Sequence, residues 1–136
     1  MGRCVDRDGC RGGLPYVEAH QVITLEQIQQ GIAKEVRRLD DLVEQIAEAG
    51  DRAAEAEATY RTLYAKSRLT VRALHADVKL TVDEVADRAQ DMTSDSQREH
   101  FIAQNLLTTR REALRASQAR LDGLRSLLSS FKLAGG

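Results

Sequence analysis

A chain of 136 residues is the size of one ordinary domain. With 42% hydrophobic residues and a net charge of −1, it is not disordered by composition, and its overall charge advertises neither nucleic acid nor a membrane surface. The absence of Trp, with two Phe and three Tyr, leaves little aromatic volume for a compact core, so the Ala- and Leu-rich composition points to a thin layer of two or three helices.

No run of roughly 18 apolar residues occurs, so no segment is expected to span a bilayer, and the N-terminus lacks the apolar stretch of a secretory signal. Cys4 and Cys10 both fall in the first ten residues, and a reducing, cytoplasmic setting is the expectation. Residues 1–21 hold four of the nine Gly and the only Pro, with no helical period. They read as a flexible N-terminal arm ahead of a single helical hairpin domain over 22–136. A translation start at Val22 would instead leave that arm outside the protein. Cys4, Cys10 and His20 lack both the spacing and the fourth ligand of a zinc site. Two free thiols are expected there, with a Cys4–Cys10 disulfide as the oxidised alternative.

Helix signals begin at Thr24. Thr24-Leu25-Glu26-Gln27 is a capping box, in which the Thr and Gln side chains satisfy each other's backbone donors. Leu25, Ile28, Ile32, Val36, Leu39, Val43 and Ile46 then recur at helical steps and predict one apolar stripe. Gly31 and Gly50 weaken this helix by about 1 kcal/mol each relative to Ala. Between Asp51 and Asp122 there is neither Gly nor Pro, so the first helix is expected to run from about 24 into the mid-seventies. The Ala-rich stretch RAAEAEATY predicts close approach of a neighbouring helix. Residues 77–95 read as a connector. Thr81-Val82-Asp83-Glu84 is a second capping box and predicts a short helix over about 82–91, and Ser94-Asp95-Ser96-Gln97 is a third that opens the last helix.

That last helix carries the clearest period. Leu107, Leu114, Leu121 and Leu128 lie seven apart, and Ala103, Leu124 and Phe131 occupy the companion position, with Arg110 and Ser117 interrupting it. These leucines and Phe131 are the predicted helix seam. The charges divide unevenly between the two long helices. Residues 24–66 hold six Lys/Arg against nine Asp/Glu, whereas residues 98–132 hold seven against three. Two readings follow, and they are compatible. The helices pair antiparallel and neutralise each other beside the seam, or the basic helix presents a phosphate-binding face. In the second, Arg111, Arg125 and Lys132 share one heptad position with Arg115 nearby, and their forks suit a phosphate backbone without reading sequence.

With its acidic helix start, YRTLYAKSRLTV, the connector, and LRASQARLDGLRSLLSSFK at the end, the chain over about 51–133 resembles small helical phage and prophage DNA-metabolism proteins grouped with the UvsY-like recombination mediators. The resemblance implies an oligomeric all-α protein of phage origin. Such a protein binds single-stranded DNA and helps load a recombinase onto strands covered by single-strand-binding protein. Its basic positions would be Arg61, Lys66 and Arg68 in the first segment and Arg115, Arg120, Arg125 and Lys132 in the last. Aromatic rings on which bases could stack are few. In the helical part they are Tyr60, Tyr64, Phe101 and Phe131, at spacings that suit a core equally well.

Catalytic chemistry is not expected. His75 and Asp77 do not share a helix face, and His100 falls in phase with the leucine seam. Glu44 and Glu48 do share a face, but no Glu-x-x-His occurs, and there is no phosphate loop, G-x-S-x-G or H-E-x-x-H. The expectation is therefore an all-α chain without cofactor or metal: a long antiparallel helical hairpin or coiled coil with a short connecting helix. Because a two-helix hairpin leaves Leu106, Leu127 and Leu133 unpartnered, it should form homo-oligomers. Its expected function is recombination-mediator-like binding of single-stranded DNA. The alternatives are a scaffolding coiled coil or a host-factor inhibitor that binds only protein.

Overall fold

Thr24 sets where the first helix begins. Its hydroxyl oxygen accepts from the Gln27 N–H (3.2 Å), and Gln27 Oε1 accepts from the Thr24 N–H (3.0 Å), so the expected capping box is formed. In the computed structural model, which describes residues 22–135, this cap opens α1 (Leu25–Leu74). At 1.5 Å per residue α1 is about 75 Å long. The arm expected over 1–21, with Cys4, Cys10 and His20, lies outside the described residues, as does Gly136.

The chain reverses over 75–81 and Thr81 caps α2 (Val82–Met92). Glu84 donates its N–H to Thr81 Oγ1 (3.2 Å), and its carboxylate accepts from the Thr81 N–H (2.8 Å). That backbone hydrogen bond, followed by the one from the Thr81 side chain, holds the Glu84 carboxyl below its ordinary value.

The third capping box is not formed, and the connector expected to reach residue 95 leaves a single residue, Thr93, between α2 and the last helix. Thr93 is buried, and its hydroxyl donates back to the carbonyl oxygens of Ala89 (2.8 Å) and Gln90 (3.3 Å). α3 (Ser94–Gly135) starts at once, with the Gln97 N–H already bonded to the Thr93 oxygen at 2.9 Å. Ser94 therefore lies in the first turn of the helix, and the Gln97 N–H that it would cap is taken by the Thr93 oxygen.

α3 returns antiparallel along α1. Gly31 meets Leu124, Glu35 meets Ser117 and Gly50 meets Leu107, so positions fall on α3 as they rise on α1. α2 packs on the remaining end of α1, burying Val85 and Ala89 where Ser67 and Val71 are also buried. All three elements are helices, and no strand occurs among the described residues. The architecture is thus the expected all-α hairpin, with α2 and α3 together forming its second arm.

A buried layer lies beside the Ala-rich stretch that predicted close approach. Ala49 and Ala53 are buried against Leu107, flanked by half-buried Ile46, Ala103 and Leu106. Small side chains on α1 let the backbones approach, and the leucine fills the gap. The α1 stripe itself is rotated relative to expectation. Ile28, Ile32, Leu39 and Ile46 face α3, but Leu25 (43%), Val36 (41%) and Val43 (57%) are exposed, and Glu35 and Leu42 take the inward positions instead.

Two glycines on α1 separate propensity from packing. A Cβ on Gly50 would meet only Leu107 Cδ1, at 4.0 Å, which is ordinary contact. Gly50→Ala should therefore raise stability by about 0.5–1 kcal/mol, read as a higher urea midpoint. A Cβ on Gly31 would lie 3.3 Å from Leu124 Cδ1. Gly31→Ala must displace that leucine and should gain less than Gly50→Ala. Equal gains would mean that α3 does not approach α1 at Gly31.

Candidate nucleic-acid interface

The hairpin has two flanks, one on each side of the α1–α3 seam. On the first, Arg52 and Thr59 of α1 stand beside Glu99, Ile102 and Leu106 of α3, bordering an open groove of about 450 Å³. Arg120 lies on this flank too. Its Nε reaches Glu35 Oε1 at 3.2 Å, and the fully buried Ser117 donates to Glu35 Oε2 at 2.6 Å. The Ser117 hydrogen bond, then the charges of Arg120 and Arg38, hold the Glu35 carboxyl below its ordinary value against the opposing effect of burial. This node explains the interruption of the leucine seam at Ser117: the seam's serine serves the carboxylate that takes the apolar position on α1.

On the opposite flank, α3 presents Arg111, Arg115, Arg125 and Lys132, all exposed. Arg111, Arg125 and Lys132 lie four positions after Leu107, Leu121 and Leu128, and Arg115 one after Leu114, which turns them to the side of the seam away from Arg120. The α1 edge of the same flank carries the exposed Val36 and Val43. Asp122 sits among the basic groups, 3.9 Å from Arg125, and partly offsets it.

Mutual neutralisation of the two long helices is largely absent. Among the described residues, Arg120–Glu35 is the single ion pair joining α1 to α3; Arg52–Glu48, Arg61–Glu57 and Arg125–Asp122 all lie within one helix. Exposed pairs of that kind contribute little. The basic excess of α3 therefore remains largely available on its surface.

The eight basic positions expected from the sequence do not form one patch. Arg111, Arg115, Arg125 and Lys132 share a flank; Arg120 faces the other and is engaged by Glu35. Arg61 stands on the basic flank but bonds to Glu57. Lys66 points away from both the seam and this flank by its helical phase. Arg68 is half-buried, with its guanidinium 6.0 Å from the Tyr64 ring centroid and its Nε without a hydrogen-bond partner. Of the seam residues, Leu107 and Leu121 are buried and Leu114, Leu124 and Leu128 half-buried, while Phe131 is exposed at the open end.

The aromatic residues supply a feature that linear spacing hides. Tyr60 and His100, on different helices, stack at 5.9 Å with planes 4° apart. Tyr64 adjoins Tyr60 (6.0 Å) and Phe101 adjoins His100 (5.9 Å). Four rings thus meet near the elbow between α2 and α3. Phe101 is 57% exposed and, by helical phase, stands on the flank of Arg111 and Arg115. His100 keeps Nδ1 buried and without a partner.

At the other sites considered, His75 Nε2 lies 2.7 Å from Arg88 Nη1. Among the described residues no three His, Cys, Asp or Glu side chains converge on a metal-sized point, and no helix is long and apolar enough to cross a membrane.

Fold and surface define an all-α rod, a long antiparallel hairpin with one basic flank. Comparisons with known protein families, with curated proteins and with solved structures give no match.

Proposed function

We propose that this protein is a non-enzymatic, self-associating helical accessory protein that binds single-stranded DNA along the basic flank of α3, in the manner of a recombination mediator. The observation that carries the reading is the set Arg111, Arg115, Arg125 and Lys132, exposed on one flank and unmatched by ion pairs to α1. A row of Arg and Lys on a straight helix follows a phosphate backbone without selecting bases, as a protein acting on any displaced strand requires. Self-association draws on the other flank, where Ile102 (52%) and Leu127 (42%) lie exposed on the side of half-buried Leu106. Apolar side chains on one long edge suit a second copy. On this reading a recombinase or a single-strand-binding protein is the further protein partner, in the host cytoplasm of a phage.

The test is a fluorescence-anisotropy titration of a labelled single-stranded oligonucleotide at two salt concentrations. Neutralising four phosphates gives a logarithmic salt slope of roughly −3, so a fourfold rise in salt should weaken binding roughly fiftyfold. Arg115→Glu/Arg125→Glu should halve that slope and cost at least about tenfold in affinity at low salt. The folded wild-type protein failing to bind at low salt would sink the reading. A scaffolding coiled coil whose partners are proteins alone would then be the better account, and its apolar contact would change little with salt.

A further inference from the structure

We infer that the aromatic cluster at the elbow is a base-stacking platform, with Phe101 as the ring that receives a nucleobase. The inference rests on the proposed binding of single-stranded DNA and adds where bases, rather than phosphates, are held. Three observations place it. Phe101 is a large apolar ring, 57% exposed, at the start of the long helix that carries the basic row. Its inner neighbour is fixed: His100 lies against it at 5.9 Å and is itself stacked on Tyr60 of the opposite helix. Phe101 thus borders a stacked pair of rings anchored on both arms, tilted 31° from His100, and a base arriving from solvent stacks on its open face. Finally, the flank continues from Phe101 through Thr108 to Arg111 and Arg115, a run of about 20 Å along α3. A strand whose phosphates follow the arginines thus reaches the ring with its bases free to turn inward.

Chemistry favours a base over an apolar peptide at this ring. An apolar partner would seek a continuous strip, but below Phe101 the flank is Thr108, Arg111 and Arg115. Arg68, over the face of Tyr64 on the same side of α1, adds a cation to the cluster. Stacked rings next to guanidinium groups suit single strands, because every base offers a π face and every linkage a charge.

The experiment separates bases from phosphates. Wild type and Phe101→Ala are titrated at low salt with a labelled thymidine oligonucleotide and with an abasic strand of the same length and charge. In parallel Phe101→Trp, which introduces the chain's sole tryptophan, is followed by its own emission. The expected result is that wild type prefers the thymidine strand and that Phe101→Ala loses about five- to a hundredfold on that strand. Binding to the abasic strand should not change, and the thymidine strand alone should quench the introduced tryptophan. Because Phe101 is exposed and outside the seam, Phe101→Ala should keep the wild-type circular dichroism, which excludes unfolding as the cause. Equal affinity for both strands, with unquenched tryptophan, would overturn the platform while leaving phosphate binding intact. If neither strand binds, the functional reading itself fails, and the platform with it.

Discussion

Leu107→Ala is expected to destabilise the hairpin by about 2–4 kcal/mol, lowering the thermal midpoint by roughly 10 °C. Leu107 is 8% exposed and packs on Ala49 and Ala53, forming a cluster of buried residues that joins the two long arms. Those alanines are short because the backbones approach there, and the helices cannot close further to fill the space left by the lost side chain. Truncation thus forfeits the transfer energy of the leucine and leaves a cavity as well. Ile46, Ala103 and Leu106 border the gap but are themselves only half-buried, which limits the cost to the lower part of the usual range. Leu133→Ala is the matched control. Leu133 is 85% exposed near the end of α3, and its loss should stay within about 0.5 kcal/mol. Thermal melts of the two variants by circular dichroism decide the matter. Equal midpoints would mean that the leucine repeat does not form the packed layer between the arms.

The contrast between Leu107 and Leu133 also marks what the sequence made legible. Capping boxes at Thr24 and Thr81 located two helix starts to the residue, because their hydrogen bonds are local and use only side chains three apart. The repeat of Leu107, Leu114 and Leu121 was equally readable, since a sevenfold spacing needs no partner to be recognised. The Ala-rich stretch pointed correctly to a close crossing, because small side chains are what short interhelical distances require.

The misread inward positions on α1 depend on a partner. Val36 and Val43 fit a helical period as well as Glu35 and Leu42 do, and hydrophobicity alone favours Val36 over Glu35. Glu35 takes the inward place because Ser117 and Arg120 of the other arm receive its carboxylate, a pairing across 82 residues of sequence. Ser94 looked like a cap, but Thr93 turns its hydroxyl back to Ala89 and lets α3 begin without a break. In the candidate site the same division holds. The common heptad phase of Arg111, Arg125 and Lys132 was visible in one dimension. The withdrawal of Arg120 and the meeting of Tyr60 with His100 were not, because each needs two helices in register.

Ser117→Asp should be the most damaging single change at that register point, costing about 3 kcal/mol or more near neutral pH. Ser117 is fully buried and its hydroxyl donates to Glu35 at 2.6 Å. The substitution replaces this donor with a second carboxylate, so two like charges face each other across the seam, with Arg120 in contact with Glu35 and Arg38 near enough to act on it. The pH dependence should then reverse in sign. In the wild type the Glu35 carboxyl is held below its ordinary value in the folded state. Its contribution is complete above the ordinary glutamate value, about pH 4.3, and is lost as pH falls through the lower folded value. In the variant, repulsion raises the folded affinity for protons, so acidification from pH 7 neutralises one of the pair and recovers stability on the way down to the ordinary carboxyl value, above the range where the wild type loses it. Urea midpoints at pH 7 and pH 4 test this directly: the gap between variant and wild type should narrow at the lower pH. Adding Glu35→Gln to Ser117→Asp should remove most of the penalty at pH 7, because an amide can donate to the new carboxylate. A gap that stays constant with pH, and survives Glu35→Gln, would show that Glu35 and Ser117 do not meet across the seam and that the register of the two arms differs from the one described.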